Sequence, residues 1–312
     1  MLKIFAIEPK AIENPELSTQ LVNFGFDQGR LIGIVPDKWL EEIKSACSHI
    51  EQGRCKRVLS LLEELKKRRV IQRIPSFQIQ AEWIDTATSV PPEFLQAIIV
   101  HDKAGRIDSR LIDVDDFSAP DSNWTVSRSR LPFRNAEEMA ENVAWFMRLA
   151  FQVKFVDPHF KDTSKHLDFL RECLRIRKDW HYKSKLSIEI HFSIPKGAPG
   201  DNASDLIDRG NRRFPHLCKN TIDALRGLIR KGDTLLFCQW SELDESKPRL
   251  HDRFVLTEIG GVDFGGGLDT GKPGHDTTAG LLSSETTKAL NRRYDIKSDE
   301  FILRNQLAFI AY

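Results

Sequence analysis

Apolar and polar residues alternate along the chain with periods that change from strand-like to helix-like. Apolar runs that end at proline predict strands over residues 2–9 and 30–36. Apolar positions at helical spacing predict helices over residues 37–53 and 55–70. A further strand is expected over residues 76–84. The first part of the chain therefore predicts a mixture of strands and helices.

Residues 97–116 contain two apolar runs separated by the turn sequence Lys-Ala-Gly-Arg at 103–106, which predicts a β-hairpin. Residues 118–134 lack a periodic pattern and contain prolines and several serines, so we expect a linker or long loop there. This segment separates a predicted N-terminal mixed α/β domain, residues 1–134, from a C-terminal domain, residues 135–312.

The C-terminal part alternates between helix and strand patterns. Residues 135–150 carry one strongly amphipathic pattern, which predicts a single helix. The pattern then predicts five strands, at 153–160, 185–195, 233–240, 251–257 and 261–266. It predicts two helices between them, at 164–178 and 204–232. Such alternation indicates an α/β fold, with a mixed sheet flanked by helices.

Composition and charge exclude several classes of protein. The 312 residues include 46 Lys and Arg against 45 Asp and Glu, so binding to nucleic acid or anionic membranes must depend on local patches. The odd number of cysteines, 5, and the absence of a CxxC pair argue against a disulfide framework and a cysteine-rich zinc site. No apolar run approaches ~20 residues, and the first residues lack the apolar core of a signal peptide. A cytoplasmic location is therefore expected.

The stretch LHDRFVLTEIGGVDFGGGLD, residues 250–269, contains residue types suited to phosphate chemistry. His251 and Arg253 are two residues apart in a predicted strand, so their side chains lie on the same face. An imidazole can act as a nucleophile or proton carrier, and a guanidinium matches the geometry of a phosphate. The glycines at 265–267 would let a ligand approach main-chain N–H groups, and Asp269 could orient a histidine.

A simpler interpretation explains the same residues without a ligand. The stretch would be a β-hairpin whose polar end lies in solvent and whose glycines form a bulge. The following HDTT sequence, at 275–278, supplies a further histidine and two threonines on either interpretation.

Several pieces of the second half resemble the MIT_C family, phospholipase D-fold domains found at the C-terminus of an animal ESCRT-III partner and in microbial relatives. The matching pieces are FVDPHF, LDFLRECL, LHDR, GGGLD and GHDTT, which occur in this order within about residues 140–312. The resemblance implies a phospholipase D-like mixed sheet flanked by helices. It also implies a phosphate-handling site, although the animal relatives are thought to bind phosphoinositide membranes without hydrolysing them.

The phospholipase D superfamily has an HxK strand followed by a glycine/serine loop at its active site. The resemblance places His251 at the nucleophilic histidine and Arg253 at the lysine position. Arginine replaces lysine here, and Glu258 stands where the superfamily pattern has a later aspartate. Further residues implied at the site are Asp269 as orienter, His275 as proton donor, and Gly266, Gly267 and Thr277 as phosphate ligands.

Two other places in the sequence bear on the site. Asp157 and His159 follow a predicted strand, and strand carboxyl ends face the ligand crevice in open α/β sheets, so both are candidate binding residues. An ordinary loop role for His159 is equally open. The stretch HDKAGRID, from His101 to Asp108, fits the HxKx4D pattern of the superfamily, but its turn residues favour the hairpin.

Two functions follow as hypotheses. The first is a metal-independent phosphodiesterase, a nuclease in microbial defence, in which His251 attacks phosphorus to form a phosphohistidine. The second is a non-catalytic module that binds a phospholipid, nucleic acid or protein partner, with the N-terminal domain recruiting the partner. Neither needs a cofactor. The resemblance also implies a homodimer, because superfamily members with one HxK-like motif complete the site across a twofold axis.

Overall fold

The computed structural model describes residues 1–75, 78–117, 123–180, 184–194, 202–242 and 249–311. The chain divides into two compact units, residues 1–128 and 129–312. The sequence prediction placed this division between 134 and 135, at the end of the expected linker. Residues 118–122 of that linker lie outside the described part. Residues 129–130 belong to the second unit because they form a strand in its sheet.

The first unit contains a parallel sheet. Its strands are β1 (Lys3–Ile7), β2 (Arg30–Ile34), β3 (Ile71–Arg73), β4 (Ala97–Val100) and β5 (Leu111–Asp113). They lie in the order β3-β2-β1-β4-β5, and neighbouring strands in this order pair in parallel. Both β1 and β4 are buried almost throughout, as expected for central parallel strands.

Helices flank this sheet: α1 (Pro15–Gln20), α2 (Trp39–Cys47), α3 (Gln52–Lys67) and α4 (Trp83–Ser89). The helices expected over 37–53 and 55–70 are thus present, with α3 starting earlier than predicted. The strand expected over 76–84 is wrong in its described part, because residues 78–82 form no strand and α4 begins at Trp83. The Trp83 indole donates to the Val35 carbonyl (2.7 Å), a contact that anchors the helix there.

The predicted hairpin over 97–116 is also wrong. The turn exists, since the Arg106 N–H donates to the Lys103 carbonyl (2.9 Å), but β4 and β5 pair in parallel. The reason lies at Arg110, whose guanidinium donates to the carbonyls of Thr88 (2.7 Å) and Val90 (2.6 Å). These carbonyls precede β4, so the connection returns the chain to the end of the sheet where β4 begins.

The second unit contains a mixed sheet. Its strands are β6 (Ser129–Arg130), β7 (Gln152–Val156), β8 (Ser187–Ser193), β9 (Thr234–Ser241), β10 (Phe254–Thr257), β11 (Gly261–Phe264), β12 (Ala279–Leu281) and β13 (Ile302–Ile310). They lie in the order β13-β9-β8-β7-β10-β11-β12-β6. The central strands β7, β8 and β9 are parallel, whereas the strands on both sides are antiparallel to their neighbours.

The helices of the second unit are α5 (Ala136–Glu141), α6 (Ala144–Leu149), α7 (Ser164–Asp179), α8 (Ala203–Leu225) and α9 (Ser284–Arg293). The single helix expected over 135–150 is instead α5 and α6. The break falls at Asn142, whose side chain donates to the Glu138 carbonyl (2.6 Å) and competes with the helical backbone. The α/β prediction for the chain is confirmed. No helix within the described ranges is long and apolar enough to cross a bilayer.

A buried polar network lies between the central strands and α9. The Lys154 ammonium is 3.5 Å from the Glu189 carboxylate and donates to the Tyr294 carbonyl (2.8 Å). The Trp240 indole donates to His191 Nδ1 (3.1 Å), so His191 Nε2 carries the proton that it donates to Glu189 (2.9 Å). Burial would raise the pKa of Glu189, but His191 and Lys154 outweigh it and hold that pKa below its ordinary value.

Replacing Lys154 by Met should destabilise the second unit by about 3–5 kcal/mol, because it leaves the Glu189 carboxylate buried without its cation. The free energy of unfolding from urea titration gives this value. Lys288→Met, on the exposed face of α9, is the matched control and should change the free energy by less than about 0.5 kcal/mol. Equal losses in the two variants would contradict a role for the buried pair.

Candidate functional site

The strand directions of the second unit bring distant parts of the sequence to one edge of its sheet. Val156, at the carboxyl end of β7, pairs with Phe254 at the start of antiparallel β10. The Phe264 N–H, at the end of β11, in turn donates to the Arg253 carbonyl (2.9 Å). Asp157, Arg253 and the loop that follows Phe264 therefore lie at the same edge.

Asp157 connects two loops at this edge of the sheet. Its carboxylate is buried and accepts from the His159 N–H (2.8 Å) through Oδ1 and from the Leu268 N–H (2.9 Å) through Oδ2. The first bond shapes the turn after β7. The second holds the loop of residues 265–269, called the glycine loop, against that turn. Asp157 thus joins two loops that are far apart in the sequence.

Thr277 packs against the glycine loop. The Gly266 N–H donates to the Thr277 hydroxyl (2.8 Å), and a Cβ on Gly266 would lie 2.7 Å from that oxygen. Gly267 adopts a φ of +110°, which disfavours any side chain. Thr277 is buried and supports the loop, instead of facing a ligand as the sequence suggested. The loop glycines are needed for close packing as well as for access to the backbone.

His166, which sequence analysis missed, lies at this site. It belongs to the first turn of α7, and Nε2 is 3.8 Å from the Asp157 carboxylate. The residue is 6% exposed, and neither ring nitrogen has a hydrogen-bond partner. Burial lowers the pKa of His166, and the charges of Asp157 and Asp269 only partly oppose this, so the ring is neutral at pH 7. Its position after FVDPHF, on the next helix, was the available signal.

Asp269 was expected to orient a histidine, but its close partner is an arginine. Arg134 donates to Asp269 Oδ1 (2.5 Å) and to the Asp269 carbonyl (3.1 Å). Both side chains are largely shielded, at 17% and 31% exposed. Asp157, His166 and Asp269 nevertheless form a cluster, since one ligand atom from each lies within 4.8 Å of the other two.

Positive groups surround this cluster. Arg253 is half-buried, and its Nε is buried without a hydrogen-bond partner. Lys161 and Lys165 are exposed close to Arg253. Helix α7 begins here, and the side chain of its N-cap residue Thr163 makes no capping hydrogen bond. A helix N-terminus of this kind attracts anions through its N–H groups and dipole.

These residues line a cavity of about 470 Å³. A second cavity of about 710 Å³ adjoins it, since both are lined by His159, Lys161 and Thr163. Helix α8 lines the second cavity with Arg209, Arg212, Arg213 and His216. His159 is thus placed between the two cavities, in a position to contact a ligand in either.

Two other predicted site residues lie outside these cavities. The strand expected to begin at His251 begins at Phe254, and the His251 side chain is 63% exposed and contacts its neighbour Asp252. His275 is exposed and lines a different cavity beside Arg134. The structure therefore brings Arg253, Asp269, Gly266, Gly267, His159 and Asp157 to one cavity without His251, His275 or Thr277.

The HxKx4D match in the first unit has separate structural partners. Lys103 pairs with Asp116 (3.0 Å), and Asp108 pairs with Arg110 (2.7 Å). The hydrogen bond from Arg110 holds the pKa of Asp108 below its ordinary value, although burial opposes this. The residues of the match thus serve the connection between β4 and β5.

Comparisons with known proteins add little to this geometry. No protein-family model matches the chain, and no curated protein matches it. Among solved structures, the chain is similar over 77% of its length to 79% of TrmBL2, an archaeal chromatin protein whose structure shows a novel mode of DNA binding. The identity is 10% and the TM-score is 0.27. A likeness of this size carries no argument about function.

The neutral, buried state of His166 predicts a pH dependence of stability. Because its folded-state pKa lies below the ordinary value of about 6.5, the unfolded chain binds more protons as the pH falls through that value. The free energy of unfolding should therefore decrease as the pH is lowered below about 6.5. His191, whose pKa burial also lowers, contributes in the same direction. In His166→Gln the slope between pH 7 and 5 should be shallower, as measured by urea titration at each pH.

His251→Gln is the control for this experiment, because its ring is exposed in the folded protein. This variant should keep a steeper slope than His166→Gln. An unchanged slope in His166→Gln would show that His166 is not held neutral by burial.

Proposed function

We propose that the second unit binds the phosphodiester backbone of nucleic acid in the two adjoining cavities at the carboxyl ends of β7 and β8. One observation carries the proposal: the Arg253 guanidinium, whose Nε has no partner, shares a cavity with the uncapped N-terminus of α7. Guanidinium groups and helix N-termini both hold phosphate oxygens through N–H donors. The cavity therefore offers a phosphate two kinds of N–H donor.

The charge around the cavities favours a polyanion over a single phosphate. The first cavity has Arg253, Lys161 and Lys165, while Arg134 pairs with Asp269 at its floor. The second cavity extends the basic surface along α8, where Arg212 and Arg213 are exposed. A chain with a net charge of only +1 thus concentrates positive groups along one cleft. Successive phosphates of a nucleic-acid strand match such a row of cations.

Hydrolysis is a second candidate function, and the exposure of His251 favours it. A side chain 63% exposed beside Arg253 is accessible to a second copy of the chain. In a twofold dimer, His251 of one copy would attack phosphorus and form a phosphohistidine. His251 of the second copy would give its proton to the leaving oxygen, and water would then release the phosphate. This is the phospholipase D-type reaction implied by the resemblance to MIT_C domains.

Arg253→Ala should weaken binding to a fluorescent single-stranded DNA by about 10-fold or more, because a hydrogen-bonded contact to a charged group is lost. Arg253→Lys should restore part of the affinity, since it keeps the charge without the planar fork. Fluorescence anisotropy at one fixed salt concentration gives the dissociation constants.

Arg226→Ala is the matched control, because Arg226 is exposed at the C-terminal cap of α8 and pairs with Asp223, away from both cavities. Its dissociation constant should change less than about 2-fold. Equal effects of Arg253→Ala and Arg226→Ala would indicate nonspecific attraction and contradict a site at Arg253.

The dimeric hydrolase is tested separately from binding. Multi-angle light scattering should give twice the 35.8 kDa mass of one chain. Cleavage of a DNA or RNA oligonucleotide should be abolished in His251→Ala and retained in His49→Ala, an exposed histidine of the first unit. A monomer at all concentrations, or cleavage that survives in His251→Ala, would overturn this second candidate and leave the binding proposal intact.

A further inference from the structure

We propose that Asp157, His166 and Asp269 form a binding site for one divalent metal ion of the Mn²⁺ or Zn²⁺ class at the floor of the smaller cavity. The three residues come from the end of β7, the first turn of α7 and the glycine loop. The proposal goes beyond phosphate binding, since it assigns a ligand to side chains that the phosphodiester itself would not need.

The distances suit a metal ion. One ligand atom from each residue lies within 4.8 Å of the other two. Carboxylate oxygens and imidazole nitrogens bind Zn²⁺ at about 2.0–2.2 Å, so the ligand atoms of a tetrahedral ion lie about 3.3–3.6 Å apart. Movements of the three side chains by about 1 Å would close the cluster around an ion.

His166 provides an observation independent of these distances. Its side chain is 8% exposed, yet both ring nitrogens lack hydrogen-bond partners. Buried polar side chains normally have a partner, and one without any needs an explanation such as an ion. A metal ion bound through Nε2, the nitrogen nearest Asp157, would satisfy this buried atom.

Gly267 leaves space for the ion. A Cβ at this position would lie 2.7 Å from Asp269 Oδ1 and 3.6 Å from Asp157 Oδ2. Both carboxylates therefore approach the same point of the backbone, where any other residue would place a side chain. The glycine keeps the region between the two carboxylates open.

Neighbouring residues already orient the proposed ligands. Asp157 accepts from the His159 and Leu268 N–H groups, and Asp269 accepts from Arg134. Such supporting hydrogen bonds are typical of metal-binding carboxylates. The two carboxylate charges exceed the single charge of Arg134, which pairs directly with Asp269. Arg253 lines the same cavity and would hold an anion next to the ion.

The ligand types define the class of ion. Ca²⁺ prefers a shell made of oxygen ligands, whereas imidazole with carboxylates suits Mn²⁺, Fe²⁺ and Zn²⁺. Mn²⁺ is the most useful probe, because its paramagnetic resonance signal reports binding directly.

Mn²⁺ should be titrated into the full chain in the absence of phosphate and nucleic acid, with free Mn²⁺ followed by electron paramagnetic resonance. One ion should bind per chain. Asp269→Asn should weaken binding by more than about 10-fold, the loss seen when even indirect supports of a metal are removed. Asp276→Asn, which changes an exposed aspartate outside the cluster, should bind as the parent protein does.

His166→Gln tests the nitrogen ligand, with the exposed His251→Gln as its control. Circular dichroism establishes that each variant is folded. Asp269→Asn keeps the size of the side chain, so this variant remains interpretable if His166→Gln unfolds. The proposal is overturned if the parent protein binds no Mn²⁺ at millimolar concentration, or if folded Asp269→Asn binds it unchanged. Because no nucleic acid is present, these outcomes are independent of the DNA-binding result for Arg253.

Discussion

The site of the second unit depends on the buried carboxylate of Asp157. A carboxylate at 2% exposure is tolerated only because main-chain N–H groups from two different loops hydrogen-bond to it. The same two bonds fix the turn after β7 and the glycine loop after β11 relative to each other. Arg253 directly precedes β10, which lies between β7 and β11, so its position follows from the sheet register. Removing this carboxylate would therefore loosen both loops.

The mixed sheet explains why residues from separate parts of the sequence meet there. In β7 and β8 the carboxyl ends point to the cavity, whereas in antiparallel β10 the amino end does so. A residue placed before β10 can thus lie beside one placed after β7. Helix α7 follows β7 directly and points its N-terminus at the same edge, as in other open α/β sheets. Cations, helix N–H groups and carboxylates are concentrated there without an unusual overall charge.

The cavity combines groups with different consequences for a ligand. Arg253 and the lysines attract phosphate, while Asp157 and Asp269 repel it unless a cation lies between them. A phosphodiester and a metal ion would therefore support each other's binding in this cavity, the phosphate next to Arg253 and the ion next to His166. The two histidines expected to perform chemistry, His251 and His275, lie outside this cavity, so neither faces the proposed phosphate site within one chain.

The sequence by itself determined the α/β fold, strands β7 to β11 and helices α7 and α8 of the second unit, and six of the residues that line the cavity. These follow from local periodicity and from the rule that strand ends carry ligand-binding residues. It could not determine that β4 and β5 run parallel, because that depends on Arg110 binding carbonyls some 20 residues earlier in the chain. It also could not bring His166 to Asp157 or separate His251 from the cavity. Those outcomes depend on the point at which β10 begins and on the direction in which α7 leaves β7. Contacts between distant residues fix both, and only the tertiary structure contains them.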